Sequence, residues 1–243
     1  IWTWDGKNSS PAFNTFNPTL VNSPTNTNWI SASAASAHYN AGIAYEYFLS
    51  KHNRNSINGK GGNIISIVNI VDEDGKQMDN AFWDGEAMFY GNGAQAFSPL
   101  AKALDVAGHE LSHGVVQTTA NLDYESESGA LNESFADIFG RLIDRDDWTM
   151  GEEVVKKAEF PTGVLRSFID PHNGGLQLGD AGYQPRIYSE RYKGTQDNGG
   201  VHINSGIVNW AFYQFVTRIN NDLDKAEKIY YRALTQYLTR SSR

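Results

Sequence analysis

Two histidines four residues apart, with a glutamate directly after the first, form the most chemically distinctive pattern in the chain, His109-Glu110-Leu111-Ser112-His113. Residues at this spacing lie on one face of a helix, so both imidazoles can point at the same place. A helix offers two zinc ligands in this way, and the glutamate can reach a water beside the metal. The pattern predicts a hydrolytic zinc centre, and the alternative is a pair of ordinary helical histidines.

A zinc ion that keeps one position open for water needs a third protein ligand. Some zinc proteases place a third histidine six residues after the second, but that position here is Thr119. A carboxylate must therefore serve, and Glu133 and Asp137 lie four residues apart on the next predicted helix. Glu133 could bind the metal while Asp137 accepts the other N–H of a ligand histidine. By itself, such an acidic pair could equally be a solvated helix face.

The elements that must position these residues follow from the hydrophobic pattern. Short apolar runs predict three strands, at Ile64–Val71, Ala81–Trp83 and Ala87–Tyr90, the last two around a turn at Asp84-Gly85. Helical periodicity predicts five helices, at Ser33–Lys51, Leu100–Thr119, Ala130–Ile143, His202–Asn220 and Asp224–Leu238. The prolines between Asn8 and Asn28 predict loops and short edges. This order indicates an α+β protein with a mixed α/β lobe over 1–119 and a mainly helical lobe over 120–243, joined by the histidine-bearing helix.

Composition limits the partners. The 243 residues carry a formal net charge of −8, and Lys and Arg form no dense run, so we expect neither nucleic acid nor an anionic membrane as a partner. No apolar stretch approaches the ~18 residues that a membrane span needs. The absence of cysteine excludes disulfides, Cys-ligated metals and thiol nucleophiles. We expect a monomer, and if the protein is secreted, its signal peptide has been removed before Ile1.

Three blocks of the chain resemble the thermolysin family of neutral proteases. They are Asp105–Val115 around the histidine pair, Ser128–Gly140 around Glu133, and Gly194–Ile207. The similarity continues through nearly the whole chain, from Ile1 to Thr239, although the family usually has further residues before and after these points. The resemblance implies the two-lobed thermolysin-like fold and a secreted, extracellular zinc endopeptidase that acts on peptides and proteins.

The resemblance also implies roles around the metal. Three residues would bind one zinc ion: His109, His113 and Glu133. Glu110 would be the general base. Asp137 and Asn132 would support the ligand histidines from behind.

Further residues would act on the substrate. His202 and Tyr124 would stabilise the oxyanion, with Asp197 orienting His202. Three residues would contact the peptide backbone: Asn80, the main chain of Ala81, and Arg166. Six apolar residues would form the pocket for the residue after the scissile bond: Phe97, Leu100, Val106, Met150, Val154 and Leu165. This pocket predicts cleavage on the amino side of large apolar residues such as Leu, Phe or Ile.

An acidic group near the active-site helix matches the family's calcium position. Its members are Asp105, Asp144, Asp147, the main-chain carbonyl of Thr149, and Glu152. Calcium prefers such a mixture of carboxylate and carbonyl oxygens. Because Asp144 and Thr149 stand where thermolysin itself has glutamates, we expect at least one calcium ion and have no support for a second. The alternative is a solvated acidic patch.

Two other functions remain open from the sequence. An aminopeptidase could share the histidine motif and the downstream glutamate, but it needs an acidic anchor for a free amino terminus, and no motif for one is evident. A binding or scaffold protein with an inactive site would be expected to have lost some of the catalytic residues. Cleavage of an internally blocked peptide would separate these functions.

Overall fold

The computed structural model describes residues 1–23, 25, 27–29 and 31–243. A five-stranded mixed sheet forms the base of the N-terminal half. Its strands are β1 (Trp2–Ser9), β2 (Thr19–Leu20), β3 (Ile65–Ile70), β4 (Ala81–Trp83) and β5 (Met88–Gly91). They lie in the order β2-β1-β3-β5-β4, with β3 parallel to both of its neighbours. Strand β4 is therefore at an edge of the sheet and pairs antiparallel with β5.

The three predicted strands are present, with boundaries within two residues of those expected. Strand β1 was not predicted, because Asp5, Gly6 and Lys7 interrupt its apolar pattern. Its pairing with β3 shifts register after Asp5, where Lys7 and Asn8 take positive φ angles of 54° and 53°. The predicted loop region holds the end of β1 and all of β2, and Pro24 and Asn26 within it lie outside the described residues.

Five α-helices make up most of the rest of the chain. They are α1 (Ala32–His52), α2 (Leu104–Gln117), α3 (Ser126–Asp144), α4 (Gln196–Arg218) and α5 (Leu223–Gln236). A two-stranded sheet, β6 (Thr149–Met150) with β7 (Arg166–Ser167), was not predicted, because each strand is only two residues long. None of the helices in the described part of the chain is long and apolar enough to cross a membrane.

Three of the helix predictions were wrong at their first residues. Helix α4 begins at Gln196 rather than His202, and its first turn contains four residues with positive φ angles, Asp197 to Gly200, which helical periodicity does not predict. Leu100–Lys102 forms a 3-10 turn and Ala103 is extended, so the histidine-bearing helix begins at Leu104 rather than Leu100. Helix α3 begins four residues before the predicted Ala130. Its first residues are polar and small, and an apolar pattern gives no signal there.

The close packing of α2 on α3 positions the metal motif. A Cβ atom on Gly108 would lie 3.0 Å from Ile143 Cδ1 and 3.1 Å from Gly140 Cα. A Cβ atom on Gly140 would lie 2.7 Å from the carbonyl oxygen of Asp105. The two helix backbones can approach this closely only because neither glycine has a side chain. The approach brings the histidines of α2 over the carboxylates of α3.

Candidate active site and metal centre

Three side chains from α2 and α3 converge on one point. The Nε2 atoms of His109 and His113 lie 3.0 Å apart. The carboxylate of Glu133 lies 3.5 Å from His109 Nε2 and 3.3 Å from His113 Nε2. One ligand atom from each residue falls within 4.8 Å of the others, and no second group of three His, Cys, Asp or Glu side chains does so among the described residues. The predicted ligands are thus brought together.

The chemistry of this group fits a zinc ion. Glu133 is fully buried, and its Oε2 atom has no hydrogen-bond partner. A buried carboxylate oxygen without a hydrogen bond is costly, and a metal cation would supply the missing interaction. Two imidazoles and one carboxylate are the ligands of catalytic zinc sites that keep a fourth position open.

The ionisation of Glu133 is set by its histidine neighbours. Burial alone would raise the pKa of this carboxyl group. Electrostatic attraction from His113, with further attraction from His109 and His202, holds its pKa well below the ordinary value. Glu133 is therefore ionised, as a metal ligand must be.

Both ligand imidazoles are oriented from behind. His109 Nδ1 donates to Asp137 Oδ1 at 2.8 Å, and His113 Nδ1 donates to Asn132 Oδ1 at 2.8 Å. The amide of Asn132 is fixed in turn, because its Nδ2 donates to the carbonyl oxygen of Leu122 at 3.2 Å. These bonds leave both Nε2 atoms free to face the metal. Asp137 and Asn132 thus contact the two ligand histidines on the side away from the metal position.

Asp137 is itself held by two side chains from elsewhere in the fold. Asn209 Nδ2 on α4 donates to Asp137 Oδ2 at 2.8 Å. Arg166 Nη1 on β7 donates to Asp137 Oδ1, and its Nη2 lies 3.7 Å from Glu133 Oε2. Sequence reasoning missed Asn209. The only signal in the sequence was a polar amide on a helix predicted to be apolar. In the structure Asn209 is only 1% exposed.

Tyr124 and His202 form the opposite side of the metal group. The Tyr124 hydroxyl donates to Glu133 Oε1 and lies 3.1 Å from His202 Nε2. Burial and the neighbouring Glu133 raise the pKa of Tyr124, so its hydroxyl stays a proton donor. His202 Nε2 lies 3.4 Å from Glu133 Oε1. Two hydrogen-bond donors thus face the space beside the metal ligands.

The orientation of His202 depends on a left-handed turn at the start of α4. Four consecutive residues, Asp197 to Gly200, have positive φ angles between 49° and 84°. This turn lets Asp197 reach forward: its Oδ1 accepts from His202 Nδ1 at 2.6 Å, and its Oδ2 accepts from His202 N at 2.8 Å. The imidazole therefore presents Nε2 to the site.

These groups border one cleft of about 680 Å³. Glu110 lines the cleft, and no hydrogen bond engages its carboxylate within the part of the chain that the structure describes. Asn80 and Ala81, at the edge strand β4, line the opposite side. A larger depression of about 900 Å³ lies against α1, but it contains none of the metal-binding residues. The smaller cleft is the candidate site because the titratable groups converge there.

The six apolar residues predicted to form the specificity pocket do not border this cleft. Four of them are buried in the main core: Leu100, Val106, Met150 and Val154. Phe97 packs against that core, and Leu165 N donates to the carbonyl oxygen of Met150 at 2.8 Å.

The predicted calcium residues are near one another, and four of the five already make hydrogen bonds. Asp105 accepts hydrogen bonds from the main-chain N–H groups of Val106 and Gly151. Thr149 Oγ1 lies 2.8 Å from Asp147 Oδ1 and 3.0 Å from Glu152 Oε2. Burial, then Glu152, raises the pKa of Asp105 to about 8. Burial, then other acidic neighbours, raises the pKa of Asp144 to about 6.

Comparison with known proteins identifies the family. The model of the thermolysin metallopeptidase catalytic domain matches residues 1–117, and that of the thermolysin metallopeptidase alpha-helical domain matches residues 120–243. The chain belongs to the thermolysin metallopeptidase family.

Named relatives agree with membership in the thermolysin metallopeptidase family. Over 227 residues the chain is 46% identical to a bacillolysin from Bacillus amyloliquefaciens, covering 92% of this chain and 41% of that protein. It is 44% identical to the neutral protease NprE of Bacillus pumilus, covering 92% of this chain and 71% of NprE. The chain spans about two fifths of the length of that bacillolysin.

A solved structure of a metalloproteinase precursor has the same fold. The precursor of protealysin, a metalloproteinase from Serratia proteamaculans, superimposes with a TM-score of 0.85 at 31% identity, covering 99% of this chain and 76% of that one. The predicted α+β, two-lobed thermolysin-like architecture is confirmed, with a mixed sheet and helices in its N-terminal region and helices in its C-terminal region.

Proposed function

We propose that this chain is the catalytic part of a secreted zinc endopeptidase that hydrolyses internal peptide bonds. The observation that carries the proposal is the convergence of His109, His113 and Glu133 in the cleft that also holds Glu110. Membership in the thermolysin metallopeptidase family supports it. We further propose that the lobes divide between residues 119 and 120, and that the protein acts as a monomer on peptides and proteins.

The proposed reaction begins with an attack by water on the peptide carbonyl. A zinc ion held by His109, His113 and Glu133 would act as a Lewis acid and lower the pKa of water to about 7. Glu110 takes a proton from the attacking water and passes it to the leaving amine. Tyr124 and His202 donate hydrogen bonds to the oxyanion as it forms, and each such donor contributes about 3–4 kcal/mol to lowering the barrier.

The edge strand β4 supports binding of an extended peptide. It pairs with β5 on one side, and no other described strand pairs with it. A substrate backbone could add to this free edge, beginning at Asn80 and Ala81. Arg166, beside Glu133, would contact a substrate carbonyl.

The acidic residues that border the cleft argue against an aminopeptidase. Besides Glu110 and Glu133, these are Asp84 and Asp123. Asp84 accepts from the main-chain N–H groups of the two residues after Gly85, and Asp123 pairs with Arg240. Both carboxylates already have partners through their Oδ1 atoms, which makes each of them a weaker anchor for the amino terminus of a substrate.

Two finer features are part of the proposal. The six apolar residues of the predicted pocket do not line the cleft, so a space between them would have to open when a substrate binds. It would accept the side chain after the scissile bond, and cleavage would then fall before large apolar residues. Burying a Leu or Phe side chain contributes about 1.5–3 kcal/mol. At least one calcium ion would bind the acidic group of Asp105, Asp144, Asp147, Thr149 and Glu152.

Digestion of a denatured protein tests the reaction and the preference together. We expect new internal amino termini dominated by Leu, Phe and Ile, identified by mass spectrometry. Termini dominated by charged or small residues would reject the pocket but leave the endopeptidase intact. Release of residues from the amino end only, with an amino-blocked peptide untouched, would show an aminopeptidase instead.

A further inference from the structure

One side chain at the end of α2 links the metal-binding helix to the edge strand. Trp83 Nε1, in β4, donates to Gln117 Oε1 at 2.7 Å. Gln117 Nε2 donates to the carbonyl oxygen of Gly85 at 3.3 Å. A single carboxamide therefore holds both the last residue of β4 and the turn that follows it. We call these two hydrogen bonds the Trp83–Gln117 clasp.

Gln117 lies on the same helix as the two ligand histidines, so the clasp connects β4 to the metal position. His109, His113 and Gln117 are spaced four residues apart, so they lie along one face of the helix. The first two point at the metal position and the third at β4. The clasp thus fixes the edge strand relative to the metal ligands through one rigid helix.

A glycine on the same helix makes room for the indole ring. A Cβ atom on Gly114 would lie 3.2 Å from Trp83 Cζ2 and 2.4 Å from Ile57 Cγ2. Because Gly114 has no side chain, the indole can lie against the backbone of α2 and reach Gln117. The packing of the ring and the hydrogen bond that its N–H donates therefore position the same strand.

The clasp is exposed at the mouth of the cleft. Trp83, Gly85 and Gln117 all border the cleft that contains Glu110. Gln117 is exposed to solvent. Because water can replace the hydrogen bonds of an exposed amide, the two hydrogen bonds of the clasp add little to the stability of the fold. Small errors in the placement of a bound substrate, in contrast, reduce the rate of reaction strongly.

We propose that Gln117 is a positioning residue that sets the distance between the substrate-binding edge of β4 and the metal ligands. This inference rests on the proposed peptidase function. It concerns substrates long enough to pair along β4, because a short substrate would be held mainly by groups beside the metal.

The test uses three single variants, the double variant Trp83→Phe with Gln117→Met, and a matched control. Gln117→Met has a similar length but makes neither hydrogen bond, and Trp83→Phe keeps a ring but removes the donor. Gln117→Glu keeps the acceptor for Trp83. Gln236→Met is the control, since Gln236 is also an exposed glutamine at the last position of a helix. Cleavage of an internally blocked hexapeptide and of a blocked dipeptide is measured for each, with zinc content and Tm.

For the hexapeptide, we expect Gln117→Met to lower kcat/KM about tenfold, with the dipeptide changed less than about threefold. Gln117→Glu should stay within about threefold of the wild type, and adding Trp83→Phe to Gln117→Met should cause little further loss. Zinc content and Tm should match those of the control. An equal loss for both peptides with a lower Tm would show a merely structural role, and an unchanged hexapeptide rate would overturn the inference.

Binding separates failure of this inference from failure of the proposed function. A hexapeptide whose central amide is replaced by a methyleneamine cannot be hydrolysed, and its affinity can be measured by calorimetry. A wild type that binds this peptide but cleaves nothing would contradict the peptidase function, while about tenfold weaker binding by Gln117→Met would still support the clasp. Equal binding by the two proteins, or no binding by the wild type, would overturn it.

Discussion

Two groups of residues place carboxylates beside α2, and these carboxylates differ in their bonding. The first is the proposed zinc group, which consists of His109, His113 and Glu133. The second is the acidic group near β6, which consists of Asp105, Asp144, Asp147, Thr149 and Glu152. Glu133 is buried, its two oxygens lie near the Nε2 atoms of His109 and His113, and its Oε2 atom makes no hydrogen bond. In the acidic group, Asp105 is bonded to main-chain N–H groups, and Thr149 connects Asp147 with Glu152. The zinc group directs its lone pairs at a common point. The carboxylates of Asp105, Asp147 and Glu152 in the acidic group instead accept hydrogen bonds from neighbouring main-chain N–H groups or from Thr149.

This difference shows what distinguishes a preformed metal site from an accumulation of charge. Helices α2 and α3 hold the zinc group rigidly, and its imidazoles have support from behind. The acidic group lies partly on a short strand and loop, where side chains can turn toward a cation when one binds. We therefore expect loss of a metal ligand to abolish the proposed reaction, and addition of calcium to affect mainly stability.

The largest effect should follow the loss of a zinc ligand. Glu133→Gln removes the ligand charge that compensates the metal, so we expect loss of bound zinc and a fall in kcat/KM of at least about 10⁴-fold. Glu127→Gln, on the same helix but outside the group, is the control. Metal analysis and peptide cleavage check both variants, and a Glu133→Gln protein with full zinc content would remove Glu133 from the ligand set.

A smaller effect is expected at His202, which does not bind the metal in this account. His202→Ala should retain zinc and lower kcat about 10²–10³-fold, because its hydrogen bond matters most as the oxyanion forms. KM should change much less than kcat. If KM rose while kcat stayed constant, His202 would serve substrate binding rather than stabilisation of the oxyanion.

Calcium should have the smallest effect on the reaction and a measurable one on stability. A cation that binds only the folded state at 100 times its Kd stabilises that state by about 2.7 kcal/mol. We therefore expect Tm to rise in a calcium titration, and Asp144→Asn to reduce that rise. A Tm that does not respond to calcium would mean that the acidic group is a solvated patch.

The sequence was most informative where chemistry depends on local spacing. The four-residue interval between His109 and His113 predicts the shared face of α2, and β-branched runs predict β3. Local patterns do not reveal contacts between distant segments. Asn209 meets Asp137 only after α4 packs on α3, although the two residues are 72 positions apart in sequence.

Further features could not be predicted from local sequence patterns, because they depend on how distant parts of the chain pack together. The approach of Gly108 to Gly140 requires both helices, so neither glycine alone predicts it. Strand β1 contains polar residues and a register shift, and its position between β2 and β3 follows from the completed sheet. The link between Trp83 and Gln117 likewise joins residues 34 positions apart.

The most direct measurement compares the wild type with Glu110→Gln for zinc content and for cleavage of an internally blocked peptide. Glu110 lines the cleft without belonging to the three-ligand group, so the variant should retain the same zinc content. Its turnover should fall by about 10²–10⁴-fold, because no other group in this account takes the proton from water. A zinc-loaded Glu110→Gln protein that cleaves the peptide at close to the wild-type rate would contradict the role of Glu110 as the general base.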